Sequence, residues 1–352
     1  MNIKLSAVLC TVLIAGCGGG GSDSGGQPRQ IVSFGDSLSD VGTYEVVGSP
    51  PVGPRVFDGG RFTSNPGAVW TEQVARSYGD RLLPAVQGGF GAPPVDTGGM
   101  GYAQGGAQVN TALAENYPGD YSRSLAWSLS RQVDNYLFTH HYFRPDQIVL
   151  LQGGGNDIIN AVLVGAVGFI APADVPRIVT AAASDLAAVA ERIARAGGRN
   201  MALLNVPDIG RTPFAAQNPD IADALGRMTR LFNETLQSEL SGRSQPQNFV
   251  FVDAYGWYAD TQARFRENGF KVANADVACS LPKVLGRAAA VGLVRPDRFV
   301  QENGWALLCS ASTLVEPDAD QTYMFADPLH PATRMQALFA RHVVDRLGAR
   351  GL

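Results

Sequence analysis

Three separated stretches of the chain carry side chains that could together cleave an ester. Ser37 lies in the sequence Gly35-Asp36-Ser37-Leu38, directly after the apolar run 31–34. A serine on the turn after a buried strand would present its hydroxyl at the rim of a sheet, where a nucleophile can meet its substrate. Gly-Asp-Ser is also common in ordinary turns, so a catalytic role for Ser37 requires partners elsewhere in the chain.

One of the four histidines has the surroundings of a general base. His330 lies in a turn before a predicted helix and follows Asp327 by three residues, so Asp327 can hold the imidazole in the required tautomer. His140 and His141 are predicted to close a helix, where cations are favoured, and His342 lies inside the last predicted helix. We therefore predict His330 as the base and Asp327 as its orienting partner.

Ester cleavage also needs hydrogen-bond donors for the developing oxyanion. The candidates are the backbone N–H of Ser37, a glycine N–H of the pair Gly105-Gly106, and the side-chain amide of Asn156. Glycine suits this role because it has no side chain to block the substrate. Each glycine, and Asn156 after its apolar strand, would on its own also fit a simple turn.

Short apolar runs that alternate with helical patterns must position these side chains. The runs 31–34, 147–151, 201–206 and 248–253 are bounded by turn residues and predict buried parallel strands, with a further short strand near 101–104. Apolar residues at helical spacing predict the intervening helices around 125–137, 178–193, 227–240 and 331–347. This alternation predicts an α/β fold with a parallel sheet covered by helices on both faces.

The expected winding of the sheet brings the candidate residues together. In a flavodoxin-like strand order, ligands bind at the carboxyl ends of strands 1 and 3, where the winding reverses. Ser37 follows the first predicted strand and Asn156 follows the third. We therefore expect these two residues in one crevice.

The N-terminus has the pattern of an exported protein. Residues 1–16 contain Lys4 and an apolar stretch too short to span a bilayer, which predicts a signal peptide. The segment ending at Cys17 resembles the bacterial lipobox, which implies lipidation of Cys17, and Gly18 after it implies an outer-membrane lipoprotein facing the periplasm or the cell surface. Residues 17–28 form a Gly/Ser-rich tether. The alternative is an ordinary signal peptide in which this cysteine is incidental.

Composition and charge favour one soluble domain over residues 29–352. The net charge is −4, which becomes −5 when residues 1–16 are removed, and this argues against nucleic acid as a partner. No cysteine or histidine spacing typical of a metal site occurs, so we expect no metal. In an oxidising compartment, Cys279 and Cys309 are expected to form a disulfide.

Three other segments are unusual. The range 82–99 is rich in glycine and proline and is predicted to be irregular. The range 267–323 is a long irregular insertion before Asp327 that contains both late cysteines. Loops of that length are usually functional. The apolar range 161–170 fits either a buried helix or a wall for an acyl chain, because periodicity does not separate the two.

Taken in chain order, the stretches that carry the candidate site residues resemble sequence blocks of the SGNH, or GDSL, family of serine esterases and lipases. The first, second, third and fifth blocks are similar to Gly35–Leu38, Tyr102–Ala107, Gly154–Asp157 and Asp327–His330. The resemblance implies a flavodoxin-like α/β/α sandwich with a central parallel sheet, and hydrolysis without metal or cofactor. The site residues that it implies are Ser37 as nucleophile and first oxyanion donor, Gly106 as second donor with Gly105 as its fallback, Asn156 as side-chain donor, and Asp327 and His330 as the rest of the triad.

Further similarity to the family extends over most of residues 30–347. It covers Gly60–Asn65 with Trp70 after it, and Asn205–Asp208. One departure is Gly101, where many relatives have asparagine.

Three functions remain as alternatives. The leading hypothesis is an extracytoplasmic esterase or lipase that acts on a small-molecule or lipid ester. The second is a catalytically inactive surface lipoprotein that binds lipid or glycan, but such a protein would be expected to have lost a site residue. A flavin or nucleotide carrier is disfavoured because Asp36 and Asp40 would repel phosphate after the first strand. The sequence does not indicate the acyl-chain length, the alcohol or the oligomeric state.

Overall fold

The structure is a computed structural model in which four stretches of the chain are described. The described residues are 29–45, 59–110, 123–290 and 305–352. The predicted signal peptide, the lipidation site Cys17 and the tether therefore lie outside them. Within these stretches, no helix combines the length and the apolar character needed to cross a bilayer.

A four-stranded parallel sheet forms the centre of the domain. The described residues contain the strands β1 (Ile31–Phe34), β2 (Val86–Gly89), β3 (Ala92–Asp96), β4 (Ile148–Leu151), β5 (Asn200–Leu204) and β6 (Asn248–Val252). Four of these six strands form the central sheet. The sheet has the order β1-β4-β5-β6, whereas β2 and β3 form a separate antiparallel pair. All three pairings of the central sheet are parallel.

Helices connect and cover the strands. In the described residues they are α1 (Trp70–Ser77), α2 (Leu129–His140), α3 (Gly155–Ala166), α4 (Val175–Arg195), α5 (Pro213–Gln217), α6 (Pro219–Ser241), α7 (Ala254–Ala263), α8 (Leu281–Ala290), α9 (Ala319–Thr322) and α10 (Thr333–Gly348). The predicted helix at 227–240 is longer than expected, because Pro219 can occupy a first helical turn. The predicted start at Pro331 is two residues early, since Ala332 is the N-cap of α10.

Two hydrophobic layers enclose the sheet because alternate strand residues point to opposite faces. Val32 and Phe34 pack in a core with α2, α3, α4 and α6. Ile31 packs in a second core with α1, α7 and α10. The predicted α/β/α sandwich with helices on both faces is confirmed.

The segment near Gly101 completes the flavodoxin-like order. It is not a continuous strand, but Gly101 forms a parallel bridge with Ser33 of β1. The Tyr102 N–H donates to the Ser33 carbonyl at 2.8 Å. This bridged segment therefore flanks β1 on the side opposite β4 in place of the short strand predicted at 101–104, and the winding reverses between β1 and β4.

The structure differs from the sequence prediction in the range 82–99. This range contains the β2–β3 hairpin rather than irregular chain. Pro93 and Pro94 of β3 obscured it in the sequence, because proline is tolerated in a strand only where the missing N–H is not needed, as on an edge.

Candidate active site

The turn that carries Ser37 is fixed by two glutamines. The Gly35 N–H donates to Gln132 Oε1 at 2.9 Å, and Gln132 Nε2 donates back to the Gly35 carbonyl at 2.8 Å. Gln152 Nε2 donates to Asp36 Oδ2 at 2.8 Å. A Cβ on Gly35 would lie 2.7 Å from the Gln152 carbonyl oxygen, so glycine is required where the ends of β1 and β4 approach.

Ser37, His330 and Asp327 form a continuous hydrogen-bonded chain. Ser37 Oγ lies 2.9 Å from His330 Nε2, and His330 Nδ1 lies 2.9 Å from both carboxylate oxygens of Asp327. Because an ionised carboxylate only accepts hydrogen bonds, Nδ1 carries the proton and Nε2 is left to accept the serine hydroxyl. The structure thus brings together the three residues predicted as the triad.

The Asp327 carboxylate is held by four backbone N–H groups as well as the imidazole. Trp305 and Ala306 donate to Oδ2 at 3.2 and 2.9 Å, and Leu329 and His330 donate to Oδ1 at 2.9 and 2.8 Å. Complete burial by itself raises the pKa of Asp327, but the neighbouring imidazole of His330 and the backbone N–H groups of Leu329 and His330 outweigh it and leave the pKa below its usual value. Asp327 is therefore ionised at neutral pH.

The predicted insertion 267–323 supplies two of those donors. Ala306 is joined to Asn65, whose Nδ2 donates to the Ala306 carbonyl at 3.0 Å and whose backbone N–H donates to the Cys309 carbonyl at 3.0 Å. Cys309 forms a disulfide with Cys279, with their Cα atoms 5.7 Å apart. The predicted cysteine pair therefore secures the segment that supports Asp327.

A phenylalanine packs against the imidazole. The rings of Phe62 and His330 have their centroids 5.0 Å apart, and Thr63 Oγ1 donates to the Pro331 carbonyl at 2.8 Å. The range 60–65 thus braces the histidine loop. Sequence reasoning missed this role, although the similarity of this range to the family was the available signal.

The geometry distinguishes the two glycines considered for the oxyanion. The Gly105 N–H already donates to Asp40 Oδ2 at 2.9 Å. Gly106 has a φ of +83°, a left-handed conformation that favours glycine, and it lines the cavity beside Ser37. Among the described residues, no acceptor is found for the N–H of Gly106 or Ser37. Gly106 is therefore the better placed donor, and Gly105 holds the turn.

Asn156 lies in the first turn of α3 and faces the same cavity. Its Nδ2 donates one hydrogen bond, to the Ala107 carbonyl at 2.8 Å, which leaves the second amide hydrogen for a ligand. Gly154, the N-cap of α3, has a φ of +104°, and a Cβ there would lie 2.2 Å from Phe232 Cζ. Glycine at this position allows β4 to turn sharply into the helix that carries Asn156.

Gly101 has a structural explanation. A Cβ at this position would lie 2.4 Å from Val41 Cγ2, and the Gly101 N–H donates to the Leu83 carbonyl at 2.8 Å. An asparagine side chain has no room here. The departure from the family pattern therefore preserves the position of the following Tyr102–Ala107 block.

The triad opens into a cavity of about 700 Å³. Ser37, Gly106, Asn156 and His330 line it together with a larger set of apolar side chains. Those apolar residues include Ile159, Leu163, Phe214, Leu281, Leu285, Met324 and Phe325. Polar side chains, among them Asp208 and Arg211, also line the cavity. The apolar part of the wall is suited to an acyl group.

A stability prediction follows from Asp157, whose side chain accepts the Val109 N–H at 3.1 Å. Burial raises the pKa of Asp157 from 3.8 to about 7, although that hydrogen bond lowers it. Between about pH 4 and 7 the folded protein keeps the Asp157 carboxyl protonated, whereas the unfolded chain ionises it. The contribution of Asp157 to the free energy of unfolding therefore falls as the pH rises through this window.

Asp157→Asn removes the ionisation while keeping an acceptor for Val109. We expect the variant to gain stability relative to the wild type as the pH rises from 4 to 8, measured as the difference in Tm at each pH. A difference in Tm that stays constant over this range would contradict the assignment.

Known proteins similar to this chain include an acyltransferase, a GDSL esterase/lipase and a hemolysin. A phosphatidylcholine-sterol acyltransferase of Aeromonas hydrophila is 29% identical over 216 residues, covering 59% of this chain and 52%, about half, of the acyltransferase. The GDSL esterase/lipase EXL2 of Arabidopsis thaliana is 25% identical, and the match covers 90% of this chain and 87% of the plant protein. A thermolabile hemolysin of Vibrio parahaemolyticus is 23% identical, and the match covers 92% of this chain and 66% of the hemolysin.

The family model for GDSL-like lipases and acylhydrolases matches residues 31–343. This match begins at β1, which leads into Ser37, and ends after His330, so it includes every part of the cavity wall described above. It confirms the resemblance predicted from the sequence. The chain therefore belongs to the GDSL-like lipase/acylhydrolase family.

Proposed function

We propose that this protein is a lipid-anchored, extracytoplasmic serine esterase or lipase that hydrolyses carboxylic esters through an acyl-serine intermediate. The observation that carries the proposal is the hydrogen-bonded chain from Ser37 Oγ through His330 to the buried Asp327 carboxylate, placed at the wall of an apolar cavity. This arrangement has the geometry of an activated nucleophile with an oriented base.

The acylation step follows from these contacts. His330 Nε2 takes the proton of Ser37 as Oγ bonds to the ester carbonyl carbon, and the carbonyl electrons move onto oxygen. When the tetrahedral intermediate collapses, the ester C–O bond breaks and His330 returns the proton to the leaving alcohol. A water molecule then attacks the acyl-serine with the same base, which releases the acid and restores Ser37.

The proposed oxyanion donors are the backbone N–H groups of Ser37 and Gly106 and the amide of Asn156. They come from three separate segments of the chain, and all three residues line the cavity. Asn156 is also in the first turn of α3, whose N-terminal dipole favours negative charge. Such donors stabilise charge that develops only in the transition state.

The apolar cavity walls support a lipid or other acyl ester as substrate. The names of the acyltransferase and esterase/lipase relatives agree with acyl chemistry on lipids. The lipobox-like segment that ends at Cys17 supports the proposed outer-membrane anchor. The Cys279–Cys309 disulfide agrees with a compartment outside the cytoplasm, where such bonds persist.

The nucleophile is tested by Ser37→Ala. We expect this variant to lose hydrolysis of a monomeric nitrophenyl ester, because no hydroxyl remains for His330 to activate. His330→Ala should lose nearly as much, and Asp327→Ala should retain more, since Asp327 orients the base and does not itself bond to the substrate. A folded Ser37→Ala enzyme with wild-type turnover would refute the proposed mechanism.

The oxyanion role is tested by Asn156→Ala. We expect kcat to fall by about 10²–10³ with little change in KM, because the bond forms mainly in the transition state. Asn160→Ala, one helical turn further along the cavity wall, is the matched control and should keep a kcat close to the wild type. An Asn156→Ala variant with a wild-type Tm and a wild-type kcat would show that Asn156 is not an oxyanion donor.

The support of Asp327 is tested by removing the disulfide in Cys279→Ser/Cys309→Ser. Opening this loop should lower the free energy of unfolding by about 3–4 kcal/mol. The kcat of the folded fraction should fall too, because Ala306 lies three residues from Cys309 and donates to Asp327.

Asn65→Ala loosens the same segment with the disulfide intact, and its kcat should also fall. If both folded variants retain wild-type kcat well below their Tm, this segment does not contribute to the orientation of Asp327.

A further inference from the structure

Beyond the site itself, the end of α3 exposes an unusually apolar stretch of chain. From Leu163 to Ala173 no residue is charged or has a polar side chain, and we refer to this range as the α3 tip. Val167 is 68% exposed and Phe169 is 84% exposed. Single exposed apolar residues are normal, but a contiguous exposed apolar stretch on a folded domain marks an interaction surface.

The α3 tip is continuous with the wall of the ester cavity. Ile159 and Leu163 both line the cavity, and Leu163 is also 36% exposed. Ile159, Leu163 and Val167 are spaced four residues apart, so they follow one another along one side of α3. The helical rise places Val167 about 16 Å from Asn156 along the helix. One apolar stripe therefore leads from the proposed oxyanion donor to the exposed tip.

The tip also lies on the side of the sheet that carries the site. After the tip the chain enters α4, which has 21 residues and ends just before β5 begins. A helix of this size is about 31 Å long, whereas a five-residue strand is about 17 Å long. Because α4 leads into the first residue of β5, its C-terminus lies at the amino edge of the sheet. Its N-terminus, next to the α3 tip, therefore lies on the carboxyl side, where Ser37 and His330 lie.

We propose that the α3 tip inserts into a lipid surface and that the acyl chain of the substrate passes from that surface along the α3 stripe into the cavity. This rests on the proposed function, because only an enzyme that takes acyl chains from an aggregated lipid needs an apolar entrance. A lipid surface is favoured over a charged partner, because the stretch carries no charge.

The charges that follow the tip pair with each other. Asp174 and Arg177 at the start of α4 are 3.8 Å apart, so they present no uniform sign. Docking should therefore depend on burial of apolar side chains and respond little to salt.

The matched control for this surface is Phe138 of α2, which is also 84% exposed. It is near the end of α2, and α2 leads to the start of β4 at the opposite edge of the sheet. A change at Phe138 removes the same kind of exposed ring without touching the α3 tip. It therefore controls for a general loss of surface hydrophobicity.

The experiment compares Val167→Ser/Phe169→Ser with Phe138→Ser in the full chain, each combined with Cys17→Ser so that an attached lipid does not mask docking. Two rates are measured for each protein: hydrolysis of a monomeric short-chain nitrophenyl ester, and hydrolysis of a long-chain ester in zwitterionic phosphatidylcholine vesicles. Sedimentation with the vesicles and the oligomeric state in solution are measured alongside.

We expect the double variant to lose about tenfold or more in vesicle sedimentation and in the vesicle rate, with the monomeric rate changed less than twofold. Phe138→Ser should match the parent in all measurements. Equal vesicle rates in parent and double variant would overturn the proposal. The proposal would also be overturned if the parent were a dimer and the double variant a monomer that still binds vesicles. That result would identify a second copy of this chain as the partner of the α3 tip. A parent inactive on the monomeric ester would instead contradict the proposed function, and vesicle sedimentation would still decide whether the tip docks.

Discussion

The buried charge of Asp327 is the constraint on which the site depends. A carboxylate without any solvent exposure is costly unless donors surround it, and this one accepts from the imidazole and from four backbone N–H groups. Those donors come from two separate parts of the chain, the turn that follows Asp327 and the segment at Trp305–Ala306. The need to satisfy one buried charge therefore fixes the position of the base and recruits the insertion into the site.

This constraint gives the late cysteines and the Gly60–Asn65 range a common purpose. Asn65 joins the Ala306 segment through two hydrogen bonds, the disulfide holds Cys309 in the same segment, and Phe62 packs on the imidazole. These contacts surround Asp327 and His330, which lie on a loop between α9 and α10. Rigid support of this kind is what an oriented base requires.

The central sheet and the triad could be predicted from the sequence because their signals are local. Buried parallel strands are short apolar runs, and the first of them ends at the predicted residue, Phe34. Ser37, His330 and Asp327 could be singled out because a nucleophile, a base and a carboxylate have few residue types to choose from. The winding of a parallel sheet then predicted that Ser37 and Asn156 share one crevice, and both line the cavity.

The remaining features depend on contacts between distant residues, which spacing does not reveal. The donation from Gly105 to Asp40, which leaves Gly106 as the better donor, joins positions 65 residues apart. The β2–β3 hairpin was missed because its prolines suppress the strand signal. The apolar range 161–170 was ambiguous between buried helix and acyl wall. In the structure α3 buries Ala161 and Val162 and places Leu163 in the cavity wall, and the segment after α3 exposes Phe169.

The most direct test of the central claim is to label the nucleophile covalently. The protein is incubated with a serine-directed phosphonate ester, digested, and the modified residue is identified by mass spectrometry. The account predicts one adduct per chain, on Ser37, formed only by folded protein, because activation requires the hydrogen bond to His330 Nε2. An adduct on another serine, or equal labelling of folded and denatured protein, would contradict it.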